Sequence, residues 1–433
     1  MGDQTFQTYY KESFPASEIF EFFSRPFQTT PPFNPEQREW GVETLDGCFR
    51  RYKQCSNADD LRKLVAEKGV GKLNVGCVFD SAVSQRWKRS LSNPILPKQR
   101  EFVIDIDLDD YSSAGFNIDK NDLPECDVHW PLVAIGLMIC KEILQTTFGF
   151  QKFLCVYSGR RGGHLWVCDD RACQLSDEAR SAIIKFLTPN ERENEHGLRP
   201  FRFLLNYPTF GSGENPLFKS EIGKQSVFQR FIYKFWRKFA IQAKGVKGGL
   251  GLLDSRFERQ RFMKMADLRF ETIDVARVYQ ANTGRDAWQS IQENIGVQPE
   301  HFRALAVIRT CETICTMLWP RPDVSVSVHM NHTLKSPYSV HPGTGRVSVP
   351  IFNILEFDPA IDSPLATEPI PPSFAKNIVE FRRVMDHWAT SSATSSVTSA
   401  VPSSVSSVVP PAVPSGLAPA QPSAKALGKR KAT

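Results

Sequence analysis

The sequence is poor in several features, and each shortage excludes something. No uncharged apolar run reaches the roughly 18 residues that a membrane-spanning helix needs. The opening stretch, Met1 to Tyr10, is polar and carries no apolar signal core. No internal repeat is present, so a repeat array is not expected. An excess of one charge sign is also lacking: 53 Lys and Arg against 47 Asp and Glu leave a formal net charge of only +6. That balance permits a polyanionic partner without arguing for one. The ten cysteines are scattered, mostly singly, in apolar runs such as Phe153-Leu-Cys-Val-Tyr157. Thiols used as small core residues in a reducing compartment fit this pattern better than a disulfide framework.

Hydrophobic residues make up 41% of the 433-residue chain and aromatics 11%, enough to bury cores for two to four domains. Through residue 185 the pattern mixes short strands and helices. Ser17–Phe23 reads as a helix, and Leu73–Phe79 and Phe102–Asp107 as strands. Pro131–Gln145 has helical spacing, with its proline suited to a first turn. Phe153–Tyr157 and Leu165–Cys168 read as strands around a glycine-rich turn, and Ser176 as the cap of a following helix. Residues 186–304 read as mostly helical, with an amphipathic segment Ser226–Ala243 and then a helix His301–Leu318. From Asp323 the pattern alternates strictly through Val328, predicting a strand with Asp323, Ser325 and Ser327 on one face. Arg346–Ile351 predicts another. Strands thus return over 305–388 after a helical excursion.

The last 45 residues, 389–433, hold neither an aromatic nor an acid. Ser, Val, Pro, Ala and Thr in such proportion cannot offset their ordering entropy, so a disordered tail is expected. It ends in Lys429-Arg430-Lys431, which reads either as a solvated terminus or as a nuclear-localisation element.

Three segments could carry chemistry. In Glu101-Phe-Val-Ile-Asp-Ile-Asp107 the carboxylates of Asp105 and Asp107 leave one face of a strand. Two adjacent acids repel unless a cation sits between them, and hard oxygen ligands suit Mg²⁺ or Mn²⁺. Asp323 could complete a three-carboxylate cluster. Ser158-Gly-Arg-Arg-Gly-Gly-His164 offers Arg160, Arg161, His164 and the Ser158 hydroxyl to phosphate oxygens, though it is not a Walker loop. Asn331-His-Thr-Leu-Lys-Ser-Pro-Tyr-Ser-Val-His341 adds Lys335 and His341, which could grip a triphosphate.

Together these residues resemble the small, catalytic subunit of the archaeal–eukaryotic type of DNA primase, its eukaryotic branch above all. The match is carried by Val103–Asp107, Val156–Asp169 and Asn331–Pro350, with Tyr9-Tyr10, Arg38-Glu-Trp40 and Arg50-Arg-Tyr52 as further likenesses. The resemblance implies a mixed α/β (α+β), largely antiparallel catalytic domain with an inserted or packed helical domain. It implies that Asp105, Asp107 and Asp323 bind the catalytic metals. Ser158, Arg160, Arg161, His164, Lys335, His341 and, more loosely, Arg51 would contact the incoming nucleotide. The implied reaction is RNA primer synthesis from ribonucleoside triphosphates on single-stranded DNA. The implied setting is the nucleus, beside a large regulatory subunit and a replicative DNA polymerase, with no membrane. Two other readings remain: a damage-tolerance primase–polymerase of the same superfamily, and a non-catalytic paralogue that binds nucleic acid.

One departure stands out. The family usually carries zinc-binding cysteines soon after the acids, but Tyr111–Leu123 contains none. Cys126 and His129 are the remaining candidate zinc ligands, and two do not make a tetrahedral site.

Overall fold

A computed structural model describes residues 3–24, 34–90, 92–114, 116, 118, 119, 121–188, 232–244, 249–266, 268 and 275–397. Among the described residues, nine strands form two antiparallel sheets: β1 (Arg38–Thr44), β2 (Phe49–Lys53), β3 (Val70–Phe79), β4 (Pro97–Gln99), β5 (Phe102–Asp107), β6 (Phe153–Tyr157), β7 (Gly162–Val167), β8 (Leu334–Lys335) and β9 (Pro350–Ile351). The first sheet runs β2-β1-β3-β4, with β8 also paired to β3; the second runs β5-β7-β6-β9. The mixed, antiparallel architecture expected from the sequence is therefore present.

The first six helices are α1 (Asp3–Glu12), α2 (Ala16–Ser24), α3 (Ala58–Val65), α4 (Leu123–Thr146), α5 (Asp170–Cys173) and α6 (Asp177–Leu187). Helix α2 buries Ile19, Phe22 and Phe23, the apolar face expected from their spacing. Ser176 caps α6 by accepting from Ala179 N–H. Helix α4 begins at Leu123, eight residues before the expected start. Its N-cap is Asp122, Pro124 occupies the first turn, and Pro131 lies inside the helix. By length and composition α4 could cross a membrane, yet Trp130 to Leu144 pack mostly inside the core.

Two further segments depart from expectation. Val324–Val328 is a short helix, not a strand, because Asp323 caps it and overrides the β-branched alternation. Arg346–Ile351 pairs as a strand only at Pro350 and Ile351, with isolated bridges Val340–Val347 and Arg346–Leu365 before it.

The amphipathic segment is described from Ile232 onward, and Ser226–Phe231 lie outside the described residues. Tyr233–Phe235 is one helical turn and Trp236–Ala240 a π-helical turn. Trp236 packs on Phe262 and Trp288 at ring distances of 5.3 and 5.5 Å, so this aromatic face serves the core. Helices Arg256–Met265, Gly284–Gly296 and Glu300–Leu318 follow, and Cys311 and Cys315 on the last are buried. The final described helix runs Pro372–Val397, past the expected tail boundary at Ala389. Residues 1–392 form one compact unit and 393–433 another; of the second, 398–433 lie outside the described residues.

A buried ion pair ties the first sheet to the start of the second. Arg38 on β1 donates to both Glu101 carboxylate oxygens, at 3.0 and 2.8 Å, and also to the carbonyls of Gly76 and Phe23. Both side chains are nearly inaccessible. Removing one partner leaves a buried, uncompensated charge. Glu101→Ala should cost about 3–5 kcal/mol in urea unfolding. A change below about 1 kcal/mol would mean that the pair contributes little to the joint.

Candidate active site

Strand register decides where the acids sit. On β5 and β7, Asp105 lies opposite His164 and Asp107 opposite Gly162. The neighbouring β5 residues Val103, Ile104 and Ile106 are fully buried, so the two carboxylates are what β5 presents to one side. Pro322 bridges Ile106, and Asp323 N–H donates to the Asp105 carbonyl at 2.8 Å. This brings the third acid beside the first two. The Asp323 carboxylate is occupied in its own cap: Oδ1 accepts from Ser325 N–H, Ser325 Oγ–H and Val326 N–H.

The glycine-rich turn supplies the opposite charge. Ser158 N–H donates to the Gly162 carbonyl at 2.9 Å and closes the turn, and Ser158 Oγ accepts from Gly162 N–H at 3.1 Å. Gly159 has φ +89°, and a Cβ there would lie 2.9 Å from His341 Cβ. A side chain would thus push the turn away from the His341 segment. Arg161 Nε donates to Asp107 Oδ1 at 2.7 Å, and its Nη2 pairs with Asp109 at 2.8 Å. Arg160 donates to Asn121 Oδ1 at 3.2 Å. Lys335, beside Asn74 of β3 through the β8 pairing, donates from Nζ to the Ser158 carbonyl.

Most of these groups line one cavity of about 440 Å³, though Asp323 is not among its lining residues. Asp105, Asp107, Ser158, Arg160, Arg161, His164, Lys335 and His341 all face it. Burial first, then the charges of Asp107 and Asp323, pushes the Asp105 carboxyl up to about 7. Burial, then Lys72, pulls Lys335 down to about 7, against the opposing pull of Asp105 and Asp107. Burial, then Lys335, lowers His164 and His341 to about 3, so both imidazoles are neutral near pH 7. The 3.6 Å approach of His164 Nε2 to Asp105 is therefore not an ion pair. Each of these histidines has a buried Nδ1 without a hydrogen-bond partner among the described residues.

Some expected residues fall elsewhere. Among the described residues, no three His, Cys, Asp or Glu side chains come close enough together to hold a metal ion. Arg161 holds Asp107 and the cap holds Asp323, so the three carboxylates share a neighbourhood but not a common point. Their donor set, carboxylate oxygens crowded by like charge, still suits a hard divalent cation. Arg51 lies outside the cavity wall. It clamps both oxygens of buried Glu39, at 2.8 and 2.9 Å, and donates to the Asn331 carbonyl at 2.8 Å. Cys126 and His129 sit on α4, near the Asp119 and Glu125 carbonyls respectively, and gather no further ligands among the described residues.

Sequence reasoning missed Lys72, Glu43, Asn74 and His332 in the cavity wall. It also missed Asp110, whose carboxyl burial and then Asp107 push up to about 6. Lys72 and Asn74 occupy alternate positions of β3, so correct strand bounds would have placed them on one face.

The family model of the DNA primase small subunit matches residues 104–352, a span that begins inside β5 and takes in every residue lining the cavity except Glu43, Lys72 and Asn74. The DNA primase small subunit of Schizosaccharomyces pombe is 29% identical over 355 residues, covering 81% of this chain and 73% of that protein. That of Saccharomyces cerevisiae is 25% identical over 354 residues, covering 79% and 80%. The DNA primase small subunit PriS of Pyrococcus furiosus is 39% identical over a shorter stretch of 101 residues, covering 21% and 28%. With the acids on β5, the glycine turn and the Lys335–His341 segment all inside the matched span, this chain belongs to the DNA primase small subunit family.

Proposed function

We propose that the chain is the catalytic subunit of a DNA primase, joining ribonucleoside triphosphates into short RNA primers on single-stranded DNA. The observation that carries this reading is one cavity lined by both carboxylates and cations; Asp105 and Asp107 on β5 make what we read as its acidic end, and Lys335 and Arg160 its basic end. Asp105, Asp107 and Asp323 would hold Mg²⁺ or Mn²⁺ at the first. Such an ion, when bound, neutralises phosphate charge and lowers the pKa of an attacking hydroxyl. At the second end, Lys335, Arg160 and the Ser158 turn would grip the triphosphate. Lys335 is poised for this, because an anion beside it restores the proton that burial makes costly. Neutral His164 and His341 can each offer an N–H without adding a buried charge. Arg161 orients Asp107 through its charge-assisted hydrogen bond. The chemistry is positioning and charge neutralisation, with no covalent protein intermediate. The relatives' designation as small subunits supports a complex with a larger subunit; a replicative polymerase partner and a nuclear location belong to the same proposal.

Purified protein, with and without a large subunit, should make short RNA on poly-dT from ATP with Mn²⁺. Asp105→Ala should lower that rate by about a thousandfold or more. Equal product from variant and wild type would remove Asp105 from the mechanism, and dATP used as readily as ATP would favour a primase–polymerase. Lys335→Ala should weaken binding of the fluorescent nucleotide by about tenfold, read by titration at constant salt.

A third expectation concerns stability. The Asp105 carboxyl stands near 7 when folded against an ordinary 3.8. Between those values the unfolded chain releases the proton and the folded chain keeps it, so this group lowers stability as pH rises through that window. Lys335 acts in another range: its penalty is full below about 7 and fades toward 10.5. Asp105→Asn should therefore raise the melting temperature of metal-free protein by a few degrees at pH 8 and leave it unchanged near pH 4. Magnesium should raise the wild-type value more than the variant's. A variant that melts earlier at pH 8 would contradict the repulsion.

A further inference from the structure

Outside the cavity, a basic and aromatic face runs along the edge strand β2 and the turn Val83–Trp87. Trp87 is 75% exposed, an unusual placement for the largest side chain unless something covers it. Its ring meets Tyr52 edge-on at 6.4 Å. The Arg86 guanidinium lies over Tyr52 at 4.3 Å and near Trp87 at 5.9 Å. Arg86 Nε is buried without a hydrogen-bond partner. Lys53 and Lys88 flank the rings, and neither they nor Arg86 pair with a carboxylate among the described residues.

Tyr52 is held in place at a conformational cost. Its φ is +58°, a left-handed conformation that a bulky residue seldom adopts. Buried Glu39 braces it by accepting from Tyr52 N–H at 3.2 Å while clamping Arg51. Arg51 in turn donates to the Asn331 carbonyl, and the next residue, His332, lines the cavity. The face is thus joined to the cavity rim by a chain of direct contacts.

We propose that Tyr52, Arg86 and Trp87 form a stacking platform for single-stranded nucleic acid, the template strand beside the cavity. The exposed Trp87 ring, backed by the half-buried Tyr52 with Arg86 over it, gives a base a flat partner, and the unpaired cations match a polyanion. A protein partner is disfavoured by Lys53 and Lys88, because lysine is depleted from protein interfaces. The proposal takes its polymer from the function proposed above, but the site is separate from the catalytic acids.

The test uses the full chain and a fluorescein-labelled dT oligonucleotide at fixed salt, read by anisotropy. Trp87→Ala should weaken binding by about tenfold, and Trp87→Phe should recover most of it. Arg86→Gln should also weaken binding and flatten its salt dependence. Unlabelled duplex should compete poorly. Trp87 is exposed, so its loss should leave the fold intact, and nucleotide binding in the cavity should be unchanged. Oligonucleotide binding by Trp87→Ala within twofold of wild type would overturn the platform, as would equal competition by duplex. Absence of nucleotide binding in the wild type would instead overturn the reading of the cavity.

Discussion

One backbone hydrogen bond organises the site: Asp323 N–H to the Asp105 carbonyl. It joins segments more than two hundred residues apart and sets the third acid against the edge of β5. A single bond is worth only about 1 kcal/mol, so the arrangement depends on what fixes its two sides. Arg100, fully buried, donates to the carbonyls of Val326 and His329 at the end of the capped helix. Arg180 donates to the carbonyls of Arg100 and Glu101 from α6. Glu101 is the partner of Arg38. Buried guanidinium groups therefore answer the carbonyls left free where the chain leaves regular pairing, and they lock the Asp323 segment against both sheets.

That rigidity opposes an electrostatic cost. Asp105 and Asp110 are held where burial and the neighbouring carboxylates raise their pKa, and Lys335 is held where burial lowers its own. Each end of the cavity is destabilised by itself and would be relieved by an ion of opposite sign. A cation at the acids and an anion at Lys335 would relieve both at once, so the proposed metal and nucleotide would share one site rather than two. The neutral histidines fit this division, since a charged imidazole between the two ends would blur it.

Much of the site was legible because its residues lie in short segments with local rules. Asp105 and Asp107 share a face through period-two geometry, and Ser158–His164 turns because glycines permit it. The Asp323 segment was misread for a physical reason. Val-Ser-Val-Ser-Val alternates like a strand, but the Asp323 side chain collects three donors and starts a helix instead. Arg51 was placed near the phosphates by resemblance, whereas its geometry follows from Glu39, a buried acid twelve positions earlier that no spacing rule would pair with it. The early start of α4 was missed because Pro131 read as a boundary, although Asp122 and Pro124 already supply a cap and a first turn.

Glu39 shows how site and surface share a support. Its carboxylate is inaccessible, and a Cβ on Gly76 would fall 2.5 Å from its Oε2, so the neighbouring strand must be bare for it to fit. From there it fixes Arg51, which holds the Asn331 carbonyl at the cavity rim, and Tyr52 N–H, which turns a ring to the outer face. The four cations of 389–433 leave only +2 on residues 1–388. Long-range attraction to a polyanion is therefore weak, and recognition has to come from where charges are placed. A single buried carboxylate that fixes Arg51 against the Asn331 carbonyl beside the cavity rim, and Tyr52 on the adjoining face, contributes to that placement.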